Sequence, residues 1–183
     1  MSELLDKLFA IHDSLTAAGL SHAFGGAIAL AYCTEEPRGT RDLDVNIFTD
    51  SSRARTALAA LPKSVSVSAA DIKTVESEGQ TRLWWDSTPI DLFLSNHPLH
   101  EIAAAAVTWV PLAEREIPVL DCASLVVFKA LFNRTKDWAD IEAVASCSPR
   151  HVEQAAATVT ELLGEDEPIY RRLTSLLHLP SEI

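Results

Sequence analysis

The chain has 183 residues, 48% of them apolar, which is enough for one sizeable core and too short for two independent domains. Its 15 basic and 26 acidic residues leave a formal charge of −11, which excludes a surface that grips nucleic acid along its whole length. Apolar positions at helical spacing, Leu4, Leu5, Leu8, Phe9, Ile11 and Leu15, predict a first helix that ends at Gly19. His22 to Gly26 reads as a short strand running into a glycine turn, and Ala27 to Tyr32 as a helix of small residues. Pro37-Arg38-Gly39 ends that helix. From Asp42 to Phe48, Leu43, Val45 and Ile47 alternate with Asp42, Asp44 and Asn46, the signature of a strand with one core face.

Ser51 to Leu61 is expected to be helical, with Ser51 or Ser52 as N-cap and Pro62 as the stop. Beyond it the pattern changes to short strands: alternating valines within Ser64 to Val75, then Thr81 to Trp85, then Ile90 to Leu94, interrupted by Asp91. His100 to Ala106 should be helical, followed by extended pieces at Val107 to Leu112 and Ile117 to Leu120. After Asp121, a plausible N-cap, helices are predicted over roughly 122–133, 137–146, 149–163 and 167–178. The expected fold is α+β. A mixed-sheet core over 1–120 is joined to a C-terminal helical bundle over 121–183 that packs on it, compact as one domain.

The three cysteines, Cys33, Cys122 and Cys147, are odd in number and far apart. They predict neither a disulfide framework nor a zinc site and suit a reducing compartment. No apolar run reaches the roughly 18 to 20 residues of a membrane span, and the N-terminus is acidic where a signal peptide would be basic. A soluble cytoplasmic protein is expected. Arg38, Arg41, Arg53, Arg55, Lys63, Lys73 and Arg82 form either a basic rim beside an acidic pocket or an ordinary solvated face.

Asp42 and Asp44, two apart in a strand, leave the same face. Such paired carboxylates repel unless a cation or proton intervenes, and oxygen-only ligands favour magnesium or manganese over zinc. Taken alone, alternating acids on a strand are more often a solvated edge. Asp91 adds a third acid, set among Ile90, Leu92, Phe93 and Leu94, where a carboxylate is costly to bury unless it is paired or metal-bound.

The order strand, Gly25-Gly26, helix, Asp42-Leu43-Asp44, then a lone Asp91 on a later strand resembles the nucleotidyltransferase superfamily related to DNA polymerase beta, over about residues 20 to 95. The resemblance implies that Gly25 and Gly26 let backbone N–H groups approach a nucleoside triphosphate. It implies too that Asp42, Asp44 and Asp91 ligate the metals of a two-metal transfer of a nucleoside monophosphate, with Asp91 also placed to act as general base. Ala27 stands where serine often follows the second glycine.

A second stretch, Leu125 to Ala143 with Lys129, Lys136, Asp137 and Asp140, resembles the AbiEii and MenT-type nucleotidyltransferase toxins of bacterial toxin–antitoxin pairs. That resemblance implies that Lys129 and Asp140 are catalytic and that Arg41, Lys136 and Asp137 lie at the nucleotide. It implies the tRNA 3′ end as acceptor, a cognate antitoxin as partner, and Thr40 as a site of regulatory phosphorylation. In one continuous helix Lys129, Lys136 and Asp140 would share a face, although a break near Asn133 to Thr135 is expected. The plainer reading makes Lys136 and Asp140 a surface i, i+4 pair, Lys129 a snorkelling side chain, and Thr40 a loop threonine bonded to its own backbone. Of Trp84 and Trp85, which face opposite ways, one should be core and one free to stack on a base. Transfer to a protein or an aminoglycoside-like small molecule is the alternative within enzymes, and a catalytically idle partner-binding module the alternative outside them.

Overall fold

A computed structural model describes residues 3–37 and 39–177. Arg38, His178 and the end of the last predicted helix lie outside those residues. α1 (Glu3–Ala17) buries Leu8, Ile11 and Leu15, and Gly19 follows it at φ 67°. β1 (His22–Phe24) runs directly into α2 (Gly26–Thr34). β2 (Leu43–Asp50) and β4 (Thr88–Ser95) lie parallel, while β3 (Gln80–Trp85) pairs antiparallel with β4. β5 (Thr108–Leu112) and β6 (Arg115–Val119) form a hairpin, and β6 joins the sheet beside β1. The strand order of this six-stranded mixed sheet is β3-β4-β2-β1-β6-β5. On β2 and β4, Leu43, Val45, Ile47, Ile90, Leu92 and Leu94 are buried. The intervening residues, among them Asp44 and Asp91, leave by the opposite face, as the period of two requires.

Two expectations between β2 and β3 need correction. A 3-10 turn at Ser51–Arg53 precedes α3 (Ala54–Ala59), and its cap is Asp50, whose carboxylate accepts from the Ser52 amide at 2.8 Å. The alternating valines do not make a strand of Ser64 to Val75. Only Ser66 bridges to Trp84, and Ala69–Glu78 is helix α4. The reason is local: Ser68 and Asp71 form a reciprocal capping box, and Gly79 closes the helix in the left-handed region at φ 72°, so both ends are specified by short-range chemistry that outweighs the alternation.

α5 (Pro98–Ala105) completes the first half. Then come α6 (Cys122–Phe132), α7 (Thr135–Cys147), α8 (Pro149–Leu163) and α9 (Pro168–Leu176). Asp121 caps α6 as expected, accepting from the Ala123 amide at 3.1 Å. The expected break falls at Asn133, which ends α6 at φ 55°. The chain divides into two compact units, Met1–Ile28 with Arg38–Leu120, and Ala29–Pro37 with Asp121–Ile183.

The second unit holds a further correction. Cys33, near the end of α2, and Cys122, the first residue of α6, form a disulfide across 89 residues of sequence with a Cα–Cα distance of 5.5 Å. Spacing alone cannot reveal such a pair, because it is made by topology. Cys147 carries the remaining thiol, exposed, and donates to the Thr34 carbonyl at 3.4 Å.

Candidate functional site

The sheet register builds the site. Asp44 on β2 stands opposite Asp91 on β4, and Asp91 opposite Arg82 on β3. Residues directly opposed across strands share a face, so these three side chains form one row. Arg82 donates to both oxygens of Asp91, Nε and Nη2 each at 2.7 Å. Those hydrogen bonds first, then the charge of Asp91 and the nearby charges of Asp42 and Asp44, hold the guanidinium above its usual basicity despite partial burial. All three carboxylates therefore act on one cation. Asp42, just before β2, accepts from the Thr40 hydroxyl at 2.6 Å, so Thr40 bonds to a candidate ligand as well as to backbone.

On the other side of Asp44 lie the glycines. A Cβ on Gly26, itself at φ 52°, would land on the Asp44 carboxylate. One on Gly25 would meet Asn46 Nδ2 at 3.1 Å and Leu120 Cδ1 at 3.3 Å, while the Gly25 amide donates to the Asp44 carbonyl at 2.9 Å. The Gly-Gly pair is thus the space in which Asp44 sits, as well as a place of close backbone approach.

In donor chemistry the residues fit a hard divalent cation: the side chains are oxygen donors, and a cationic group already stands among them. Their geometry is not that of a closed cage. Among the described residues no three acidic, histidine or cysteine side chains gather tightly enough to hold a metal. Asp91 is turned to Arg82, and Asp42 accepts from Thr40 through Oδ1. Arg41, next to Asp42 in sequence, is exposed.

The remaining predicted residues belong to the second unit. Lys129, buried on α6, donates to Asp140 Oδ2 on α7 at 2.6 Å and lies 4.0 Å from Asp137 Oδ1. Asp137 is almost wholly buried. It accepts from the Arg134 amide, Nε and Nη2 at 3.2, 2.6 and 3.0 Å. Burial pushes its carboxyl up, but the Arg134 hydrogen bonds, with the charges of Arg134 and Lys129, hold it below the usual carboxylate value. The plainer readings of Lys129 and Asp140 are overturned together. Lys129 is buried and bonds to Asp140 across two helices instead of snorkelling, and Asp140 is buried and not on the surface. The helix break at Asn133 is what turns α7 so that Asp140 reaches Lys129.

Sequence reasoning missed Arg82 as a partner of Asp91. What sets the pair is a two-residue turn at Asp86-Ser87, with Asp86 at φ 51°, which pairs Trp85 with Thr88 and so puts Arg82 opposite Asp91. Of the tryptophans, Trp85 has Lys7 Nζ 5.9 Å from its ring centroid, whereas Trp84 is 46% exposed.

No protein-family model matches the chain, and no curated protein matches it. Among solved structures it is similar to the antibiotic-resistance factor ANT(2'')-Ia in solution, with a TM-score of 0.61 and 13% identity over 96% of this chain and 97% of that one. It is similar also to ANT(2'')-Ia in complex with adenylyl-2''-tobramycin, with a TM-score of 0.54 and 12% identity over 95% and 98%. A third is an antigenic nucleotidyltransferase-like protein from Paracoccidioides brasiliensis, with a TM-score of 0.50 and 14% identity over 97% and 94%. At such identities the likeness establishes the fold, which is that of the nucleotidyltransferases, and leaves the AbiEii or MenT subtype undistinguished.

Proposed function

We propose that the chain moves a nucleoside monophosphate from a nucleoside triphosphate to an acceptor hydroxyl, with magnesium or manganese held by Asp42, Asp44 and Asp91. The observation that carries this reading is the row Asp44, Asp91, Arg82 beside Gly26, a set of acids already organised around positive charge on the face next to the glycine turn. Bound ions would neutralise phosphate charge and sharpen the acceptor hydroxyl as a nucleophile. Gly25 and Gly26 offer backbone to the phosphates without a side chain in the way. Asp91 would be the carboxylate placed to take the acceptor's proton, and its two-pronged pair with Arg82 would compete with that role.

For the acceptor, a small molecule is the reading the chain's charge favours, since −11 repels a polyanion. One similar fold is described in complex with an adenylylated aminoglycoside. Transfer to the tRNA 3′ end, which would make the chain the toxin of an antitoxin-controlled pair, rests on the 125–143 stretch. In that reading Lys129 offsets phosphate charge, Asp137 and Asp140 orient it, and Arg41 and Lys136 meet the nucleotide. Phosphorylation of Thr40 would break its bond to Asp42 and set a dianion among the carboxylates.

The test is incubation of the full chain with magnesium, total tRNA or tobramycin, and each α-labelled nucleoside triphosphate in turn. Label should pass to an acceptor and be lost in Asp44→Ala, which should stay folded. Full activity in Asp44→Ala would sink the metal assignment. Absence of any metal-dependent triphosphate binding by calorimetry would favour the idle module.

A further inference from the structure

We infer that the three cysteines form one thiol–disulfide exchange site, in which Cys147 takes Cys122 from Cys33 and a low-molecular-weight thiol is the external partner. The inference stands apart from the transfer reading. The chain's three cysteines all fall in the second unit, and Cys33 and Cys122 are already bonded to each other. A thiolate beside a disulfide is what exchange requires, so the position of the third thiol decides the matter.

Two independent observations place it. Cys147 Sγ donates to the Thr34 carbonyl at 3.4 Å, and Thr34 is the residue after Cys33. The second comes from the helices. α6 and α7 are joined by the short elbow at Asn133 and Arg134, and Lys129 donates to Asp140 at 2.6 Å, so the two helices run back along each other. Cys122 lies two turns before Lys129 on α6, and Cys147 two turns after Asp140 on α7, and that spacing returns close to the same face of each helix. The faces that meet at Lys129 and Asp140 therefore carry Cys122 and Cys147 at the end away from the elbow.

Exposure selects the sulfur attacked. Cys147 is exposed and Cys122 half-buried, whereas Cys33 is buried. The Cys147 thiolate attacks Cys122 Sγ; the Cys122–Cys147 bond forms as the Cys33–Cys122 bond breaks, and Cys33 leaves with the electron pair and takes up the proton that Cys147 gave to solvent. No net oxidation occurs. A small thiol enters by the same route: it opens the bridge at Cys122, leaving a mixed disulfide there and a thiol at Cys33, and Cys147 then displaces it. The native bridge joins Ala29–Pro37 to Asp121–Ile183, whereas the exchanged bridge lies wholly within the latter and ends the covalent hold of α6 on α2.

Peptide mapping after acid quench and alkylation reads the pairing. In Cys33→Ser, shown folded by circular dichroism and given millimolar glutathione disulfide, Cys122–Cys147 should exceed the mixed glutathione disulfides about tenfold, since a thiol held at short range acts at high effective concentration. Concentrated urea should remove most of that excess. Cys122→Ser, which leaves Cys33 with Cys147, should bridge less. The parent needs no substitution: sampled during treatment with glutathione, it should pass through a species with Cys122 bonded to Cys147 and Cys33 alkylated, while Cys147→Ser should accumulate glutathione on Cys122 instead. Only mixed disulfides in folded Cys33→Ser, or a parent that goes from the native bridge to three thiols without that species, would overturn the proposal. Bridging in Cys122→Ser that matches Cys33→Ser would overturn Cys122 as the sulfur attacked.

Discussion

At Gly26 two demands meet in one residue. The backbone is in the left-handed region, and the place a Cβ would occupy is held by the Asp44 carboxylate. Gly26→Ala therefore costs about 1 to 2 kcal/mol for the backbone alone and must also push Asp44 out of the row it shares with Asp91. The expected outcome is a modest fall in the urea midpoint with transfer activity lost almost completely, and with binding of manganese weakened in the same variant. Activity near that of the parent would show that Asp44 tolerates displacement and that the glycine serves only the turn. The acids were readable from the sequence because a period of two places Asp42 and Asp44 on one face. Arg82 was not, because cross-strand partners become visible only once the turn at Asp86-Ser87 sets the register. Nor was the steric tie between Gly26 and Asp44 legible, since a glycine followed by a helix names a turn and not the side chain that fills the vacancy.

Between elements, α1 and β1 are joined by a pair of buried histidines. His22 Nδ1 lies 2.9 Å from the Leu20 carbonyl and so carries the proton, which leaves Nε2 to accept from His12 Nδ1 at 2.9 Å. The network suits two neutral rings. Burial lowers His12, with Asp13 raising it and Arg115 lowering it in smaller measure. Burial lowers His22, against the Leu20 hydrogen bond that raises it. His100 on α5 is lowered in the same way, by burial first. With native values below the ordinary 6.5, the unfolded chain binds more protons as pH falls through that point. The stabilisation is complete above pH 6.5 and is lost below it, at no more than about 1.4 kcal/mol per pH unit for each ring. Urea unfolding at pH 7.5, 6.5 and 5.5 should show a falling midpoint. The window lies above carboxylate titration, where relief of the molecule's negative self-repulsion would act with the opposite sign. A flat profile would mean that the rings take protons without leaving the fold. The strands and most helices were legible as periodicity at this scale. α4 was not, because its Ser68 and Asp71 box and Gly79 stop were hidden behind alternating valines whose spacing imitates a strand.

For the whole molecule the decisive covalent fact is the Cys33–Cys122 bond. The second unit is assembled from Ala29–Pro37 and Asp121–Ile183, pieces separated by most of the first unit's sequence, so the entropy of bringing them together is large and is what a cross-link removes from the unfolded chain. Cys33 and Cys122 sit one in each piece. Closing a loop of that length is worth about 4 to 5 kcal/mol in the chain-entropy model, with 2 to 4 typical of measured bridges. A dithiol reductant should accordingly lower the melting temperature by roughly 5 to 15 °C. Cys147→Ser should respond like the parent, since its thiol is outside the bridge, whereas Cys33→Ser with Cys122→Ser should melt low and ignore the reductant. If the parent's melting curve does not move on reduction, the bridge is not formed in solution and the sequence expectation of three unpaired thiols stands. If it moves, the second unit is held to full stability only under oxidising conditions, because the bond ties its two segments together covalently.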